Sequence, residues 1–239
     1  MSIVYLPQLH IGCPSHRGGL SVFPAGSPVR GLSGGSAVAV DEREGAPVVE
    51  ELVAHNRGQQ PALLLAGELV EGGWQDRALV HDVVLAPGNL AVVSVSCVEQ
   101  GRWQRSGQQS RRGRRASLLV RSAQTRHHDT RQSQVWERVS RYDRAYGGAG
   151  TGTLLHHLRT VMPSVPPSPE VLAGQVRAFV QALAAVSGRR LRTDESTDAV
   201  DGRAVAAETA RVVARGVLWQ DGLAHLTVLN PRHALVLAA

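Results

Sequence analysis

Residues 79–98 read Leu79-Val80-His81-Asp82-Val83-Val84-Leu85-Ala86-Pro87-Gly88-Asn89-Leu90-Ala91-Val92-Val93-Ser94-Val95-Ser96-Cys97-Val98. Two apolar, β-branched runs, 79–85 and 90–98, flank Ala86-Pro87-Gly88-Asn89. Proline presets φ and glycine supplies a positive φ, so those four residues are a turn and the runs are strands. The expectation is an antiparallel hairpin. Alternation in the second run puts Ala91, Val93, Val95 and Cys97 on one face and Ser94 and Ser96 on the other, which makes Cys97 a buried thiol.

Upstream the pattern repeats. Short apolar runs at 20–23, 37–40, 48–54 and 62–65 are separated by glycine, proline and polar residues, the rhythm of a sandwich or barrel. Downstream the period changes. Val135, Val139, Tyr142 and Tyr146 recur at helical spacing behind Thr130, predicting a helix over 131–145. Ser168-Pro169 opens a second helix with Leu172, Val176, Phe179, Val180 and Leu183 on one face, ending near Gly188. Gln220-Asp221-Gly222 between two apolar runs predicts a closing hairpin. The fold expected is α+β: a β-rich antiparallel sandwich-like domain with an α-helical addition and a C-terminal hairpin. One domain over 1–239 divides into a β-rich core (1–103), an Arg-rich connector (104–129), the helical addition (130–188) and closing strands (203–239) that return to the sheet.

Of 239 residues, 43% are hydrophobic and 19% charged, the balance of a folded, water-soluble chain. All 26 basic residues are arginine and the net charge is +6. Between 102 and 144 lie twelve arginines against Asp129, Glu137 and Asp143, so a positive band is expected, suited to an acidic protein or nucleic acid. Two cysteines without CxxC spacing and an amino terminus lacking a secretory pattern point to a cytoplasmic protein, and no apolar run is long enough for a membrane span. The histidines, including the His127-His128 and His156-His157 doublets, lack ligand spacing, so no metal site is expected. The sequence identifies no cofactor. Gly147-Gly148-Ala149-Gly150-Thr151-Gly152-Thr153 has no Walker lysine and no preceding strand, and reads as a connector.

If the runs 62–65, 79–85 and 90–98 form an up-down-up meander, the chain leaving the first and the chain leaving the third meet at one sheet end. Glu68, Gln75, Asp76, Arg77, Glu99, Arg102 and Trp103 would then converge. Arg77 and Arg102 would grip anionic groups, Trp103 would stack on a ring, Gln75 and Asp76 would bind, and Glu68 or Glu99 would move a proton. The plainer alternative is an ion-pair network of Arg77 and Arg102 with Glu68 and Glu99 that pins loops to the sheet.

Leu65-Ala66-Gly67-Glu68-Leu69, Gly73-Trp74-Gln75-Asp76-Arg77, Leu85-Ala86-Pro87-Gly88, Val95 through Trp103 and Gln134-Val135-Trp136 together resemble one uncharacterised family. It is the ADP-ribosylglycohydrolase- and rhodanese-phosphatase-associated protein family. The likeness spans roughly 19–146, with an echo at 222–229. It implies a β-rich domain near NAD and ADP-ribose metabolism, and a nucleotide-derived, ADP-ribose-like small-molecule ligand. The family tends to carry Gln-Asn-Arg where this chain has Gln75-Asp76-Arg77, and a small or basic residue at Trp74. Asp76 thus adds a negative charge where an anion would sit.

Overall fold

The computed structural model describes residues 3–5, 13, 15–17, 20–22, 31–125, 128–146, 152–155, 170, 174, 177, 190–193, 201–208, 213–220, 222–230 and 235–238. The chain divides into two compact units, a central one of Gly31–Val161 with Thr197–Gly202, and a terminal one of Met1–Arg30, Met162–Ser196 and Arg203–Ala239.

The terminal unit begins with β1 (Ile3–Tyr5), β2 (Ser15–Arg17) and β3 (Leu20–Val22). The central unit carries β4 (Val38–Asp41), β5 (Glu51–Asn56), β6 (Ala62–Leu64), β7 (Glu68–Gly73), β8 (Arg77–Leu79), β9 (Val83–Leu85), β10 (Leu90–Cys97) and β11 (Ser106–Arg115). Helices α1 (Leu118–Gln124) and α2 (His128–Tyr146) follow. The terminal unit resumes with β12 (Arg190–Thr193), β13 (Arg203–Glu208), β14 (Val213–Trp219), β15 (Gly222–Asn230) and β16 (Leu235–Ala238).

In the central unit six antiparallel strands run in the order β11-β7-β8-β10-β5-β4, and β6 pairs with β9 as a separate ribbon. The sheet curls until its two edges meet through side chains. Gln109 on β11 donates to Glu42 at the end of β4 at 3.0 Å, and Arg111 donates to the Gly35 carbonyl. On the inner face Val40, Leu52, Val70, Leu79, Val93 and Val95 pack with Leu64 and Leu85 of the ribbon. On the outer face Leu69, Ala78 and Val98 pack against Val120, Val135 and Val139 of the helices and against Leu154. Strands β7, β8 and β10 are thus covered on both sides, and each fully buried Leu or Val stabilises by about 1.5–3 kcal/mol.

Local chemistry sets the helix positions. The Ser117 side chain accepts from the Val120 N–H and starts α1. Val135 and Val139 of α2 face the sheet with Tyr142 packed beside them, as their spacing predicts. Helix α2 also completes the sheet. Strand β5 pairs with β10 only as far as Ser94, and beyond it the Gln132 carboxamide accepts from the Cys97 N–H and donates to the Cys97 C=O, both at 2.9 Å.

The β-rich antiparallel architecture with helices and a closing hairpin matches expectation, with Trp219 opposite Gly222 across the β14–β15 turn. Several local readings are corrected. The run 79–85 is two strands, because the Asp82 carboxylate takes the Ala66 N–H at 2.8 Å between them. Strand β9 pairs with β6 and β10 with β8 and β5, so the expected hairpin across Ala86–Asn89 is a turn between two sheets. Residues 68–73, expected as a loop, are strand β7. The connector 104–129 is mostly strand β11 and helix α1, and three of its arginines, Arg111, Arg112 and Arg114, face Glu68 and Glu71 on β7. The closing strands join β1 and β12 in their own six-stranded sheet instead of returning to the first. Helix 168–188 lies outside the described residues except Glu170, Gly174 and Arg177, which are helical, and the connector 147–151 lies outside them too. No described helix is long and apolar enough to cross a membrane.

Candidate functional site

The meander proposed to gather the polar residues does not exist, because β6 and β10 lie in different sheets. Five of the residues meet nonetheless. Strands β7 and β8 pair Leu69 with Ala78 and Val70 with Arg77, so the turn between them holds Gln75 and Asp76 beside the exit of β10. The Asp76 N–H donates to Glu99 at 2.9 Å, and Gln75 donates to the Glu99 carbonyl at 3.2 Å.

Arg102 locks this arrangement. Its Nε and Nη2 reach the two Glu99 oxygens at 2.8 and 2.5 Å, its Nη1 reaches the Gly73 and Gln104 carbonyls and Ser106 Oγ, and Nη2 also lies 3.4 Å from Asp76 Oδ1. With each guanidinium nitrogen engaged, Arg102 clamps Glu99. Hydrogen bonding to Glu99 holds it above the ordinary guanidinium range. Arg77 is fully buried opposite Cys97, and Nη1 bonds Gln75 at 3.0 Å. Burial pushes its guanidinium below the usual value. Burial pushes the Cys97 thiol up, and it donates to the Glu99 carbonyl at 3.0 Å. A protonated, enclosed thiol is a poor nucleophile.

Asp76 differs from its neighbours. Burial raises its carboxyl above the ordinary value and the Glu99 charge raises it further, against the lowering effects of the Gly72 N–H, Arg102 and Thr153. Thr153 arrives from the segment 152–155, which lies antiparallel to 98–100 through Gln100 N–H to Gly152 O at 2.9 Å and Leu154 N–H to Val98 O at 3.0 Å. Gly152 is required there: its φ is +58° and a Cβ would stand 2.5 Å from the Gln100 carbonyl.

These groups border a cleft of about 380 Å³ on the outer side of the β7–β11 pair. Asp76, Glu99 and Glu71 supply three carboxylates, and Ser106, Gln108, Ser110 and Thr153 supply hydroxyl and amide groups. The sequence reading missed Glu71, Thr153 and the β11 residues. The signal was Ser106, Gln108, Ser110 and Arg112 at period two, the polar face of a strand.

Two expected members sit apart from the carboxylate pair. Glu68 pairs with Arg111 at 2.6 Å, four residues from Gly72 and so about 13 Å along β7. Trp103 is 47% exposed and tilts against Trp74 with ring centroids 6.1 Å apart. The positive band is largely neutralised on β11, since Arg111 pairs with Glu68 and Arg112 and Arg114 with Glu71. Among the described residues no group of His, Cys, Asp and Glu is placed to hold a metal ion.

The sequence profile of the ARG and Rhodanese-Phosphatase-superfamily-associated Protein domain matches residues 8–186, the stretch that carries the cleft. Comparison with curated proteins and with solved structures finds no match.

Proposed function

We propose, for a chain that belongs to the ARG and Rhodanese-Phosphatase-superfamily-associated Protein (ARPP-1) domain family, that the outer cleft binds a ribose-bearing ligand of the ADP-ribose or NAD class and cleaves its ribosyl bond. The observation that carries this reading is the unlike carboxylate pair: Asp76 raised by burial beside Glu99 clamped by Arg102, at the wall of a cleft of about 380 Å³. Neighbouring acids held in different environments are suited to different roles. Asp76, whose carboxyl is raised above its ordinary value by burial, donates a proton to the leaving group. Glu99, fixed by Arg102 and the Asp76 N–H, sets a negative charge against the cation developing on the sugar, and water attacks the anomeric carbon as the leaving group departs, passing its proton to the Asp76 carboxylate. The hydroxyl and amide groups of Ser106, Gln108, Ser110 and Thr153 suit ribose hydroxyls, and the tilted Trp74–Trp103 pair offers an exposed ring next to Arg102 in sequence. The family's name, with its association to ARG and rhodanese-phosphatase proteins, supports the ligand class.

The rival, a non-enzymatic module docking an acidic protein or nucleic acid on the arginine band, has less support because three of the β11 arginines already face glutamates. The test is thermal shift and chromatographic turnover with NAD, ADP-ribose and adenosine. Asp76→Asn should abolish turnover and keep binding. No shift with any of them at millimolar concentration, or unchanged turnover in Asp76→Asn, refutes the proposal.

A further inference from the structure

The far end of β7 holds a second polar constellation that the cleft does not use. At the Leu65–Glu68 turn the Gly67 N–H bonds the Leu79 carbonyl and the Gly67 carbonyl accepts from the Ala116 N–H, each at 2.6 Å. Arg115, the last residue of β11, donates through Nε and Nη2 to the Ala66 carbonyl at 3.2 and 2.8 Å. Arg121 of α1 lies directly across the same turn: a Cβ on Gly67 would stand 2.2 Å from Arg121 Cδ. The glycine, at φ +81°, is the cradle that lets the arginine stem cross the backbone.

The charges there do not balance. Arg115 and Arg121 share the single charge of Asp82, whose Oδ1 also accepts from the Ala66 N–H at 2.8 Å, and Glu68 pairs with Arg111. Arg121 Nε and Nη1 are buried and have no hydrogen-bond partner among the described residues. Two donors on one guanidinium, withdrawn from water and unmatched, cost several kcal/mol unless an acceptor meets them. Burial and the Arg115 charge push the Arg121 guanidinium down to about 9.

We propose that Arg115 and Arg121 form a phosphate-binding site at the Ala66-Gly67 turn. Two guanidinium planes from different elements call for an acceptor with oxygens in more than one plane. A phosphoryl group offers three, whereas a carboxylate offers two in a single plane. The phosphate can be free or carried by a nucleotide. The site stands independently of the cleft reading: Gly67 is five residues from Gly72, about 16 Å along the strand.

The experiment uses the full chain. Its melting temperature is followed with inorganic phosphate against sodium chloride of matched ionic strength, and then with ADP and adenosine. The ³¹P line width of phosphate is recorded in parallel, a readout that does not depend on stability. Phosphate should raise the melting temperature by about 3 °C or more where chloride does not, and should broaden the ³¹P line. Both effects should be lost in Arg121→Gln. An ADP effect at lower concentration than phosphate that is lost in Arg121→Gln assigns the phosphate to a nucleotide. An equal response to phosphate and chloride overturns the site, as does Arg121→Gln keeping the phosphate response. Should Arg121→Gln fold poorly, Arg121→Lys, which keeps the charge and loses the fork, must weaken phosphate binding at least tenfold. Unchanged affinity in that variant also overturns it.

Discussion

Glu99→Gln alters one atom and reports whether the Arg102 clamp organises the cleft wall. The wild-type pair is bidentate at 2.8 and 2.5 Å, with Glu99 10% and Arg102 23% exposed at the side chain. Breaking a fully buried pair costs about 3–5 kcal/mol, and solvent reaching Arg102 recovers part of that, leaving about 2 kcal/mol. The new carboxamide must also turn its N–H₂ toward the Asp76 N–H or an Arg102 N–H, adding about 1 kcal/mol. The total, about 3 kcal/mol, lowers the melting temperature by roughly 6–12 °C in a chain of this size. Urea unfolding followed by tryptophan fluorescence should show the midpoint falling at constant m. Arg102→Gln should cost a similar amount. The double variant should cost clearly less than the sum, with a coupling of about 1 kcal/mol or more. Additive losses, or a loss below about 0.5 kcal/mol for Glu99→Gln, refute the clamp.

Burial raises the Asp76 carboxyl, so its charge is a cost to the folded state at neutral pH that lifts as pH falls through the raised value and is gone below the ordinary 3.8. Asp76→Asn should therefore melt higher than wild type near neutral pH and lose that advantage in acid; a constant difference contradicts the assignment. Gly73→Ala, at φ +56° with a Cβ 2.0 Å from Gln109 Nε2, should break the Gln109–Glu42 bridge and cost about 2–3 kcal/mol in denaturant melts, and a neutral result argues against the tight packing. Gln132→Ala leaves the Cys97 N–H and C=O without partners and should cost about 2–3 kcal/mol, whereas a change within 0.5 kcal/mol would mean that water replaces the carboxamide.

Much of the architecture was legible because burial in strands and helices is periodic. The alternation of Ala91, Val93 and Val95 and the spacing of Val135, Val139 and Tyr142 placed β10 and α2 on their buried faces. Pairing was less legible. Nothing in 79–85 marks the point at which the Asp82 side chain turns the chain from one sheet to another, since that depends on an Ala66 N–H sixteen residues earlier. Strand β11 was hidden by charge: arginines that suggested a solvated connector are satisfied by glutamates on β7, partners that only the pairing reveals. The polar residues around Glu99 were identified, but their geometry came from the β7–β8 turn and not from the supposed meander. Thr153 was out of reach because the bridge to Glu99 spans more than fifty residues of intervening chain.

The closure between β11 and β4 has a mechanical consequence. Every other junction in that sheet is a ladder of main-chain bonds, while this one is held by the Glu42 side chain, which accepts from Gln109 and from the Trp74 N–H, and by Arg111 on the Gly35 carbonyl. A hoop with one soft joint yields there first. Rotation of two side chains would part the rim without breaking a ladder rung, and the apolar interior would open along one line. The joint also lets the hoop change girth. A substitution that swells the interior can be absorbed by letting out the seam, where a sheet closed all round by its backbone would have to shear.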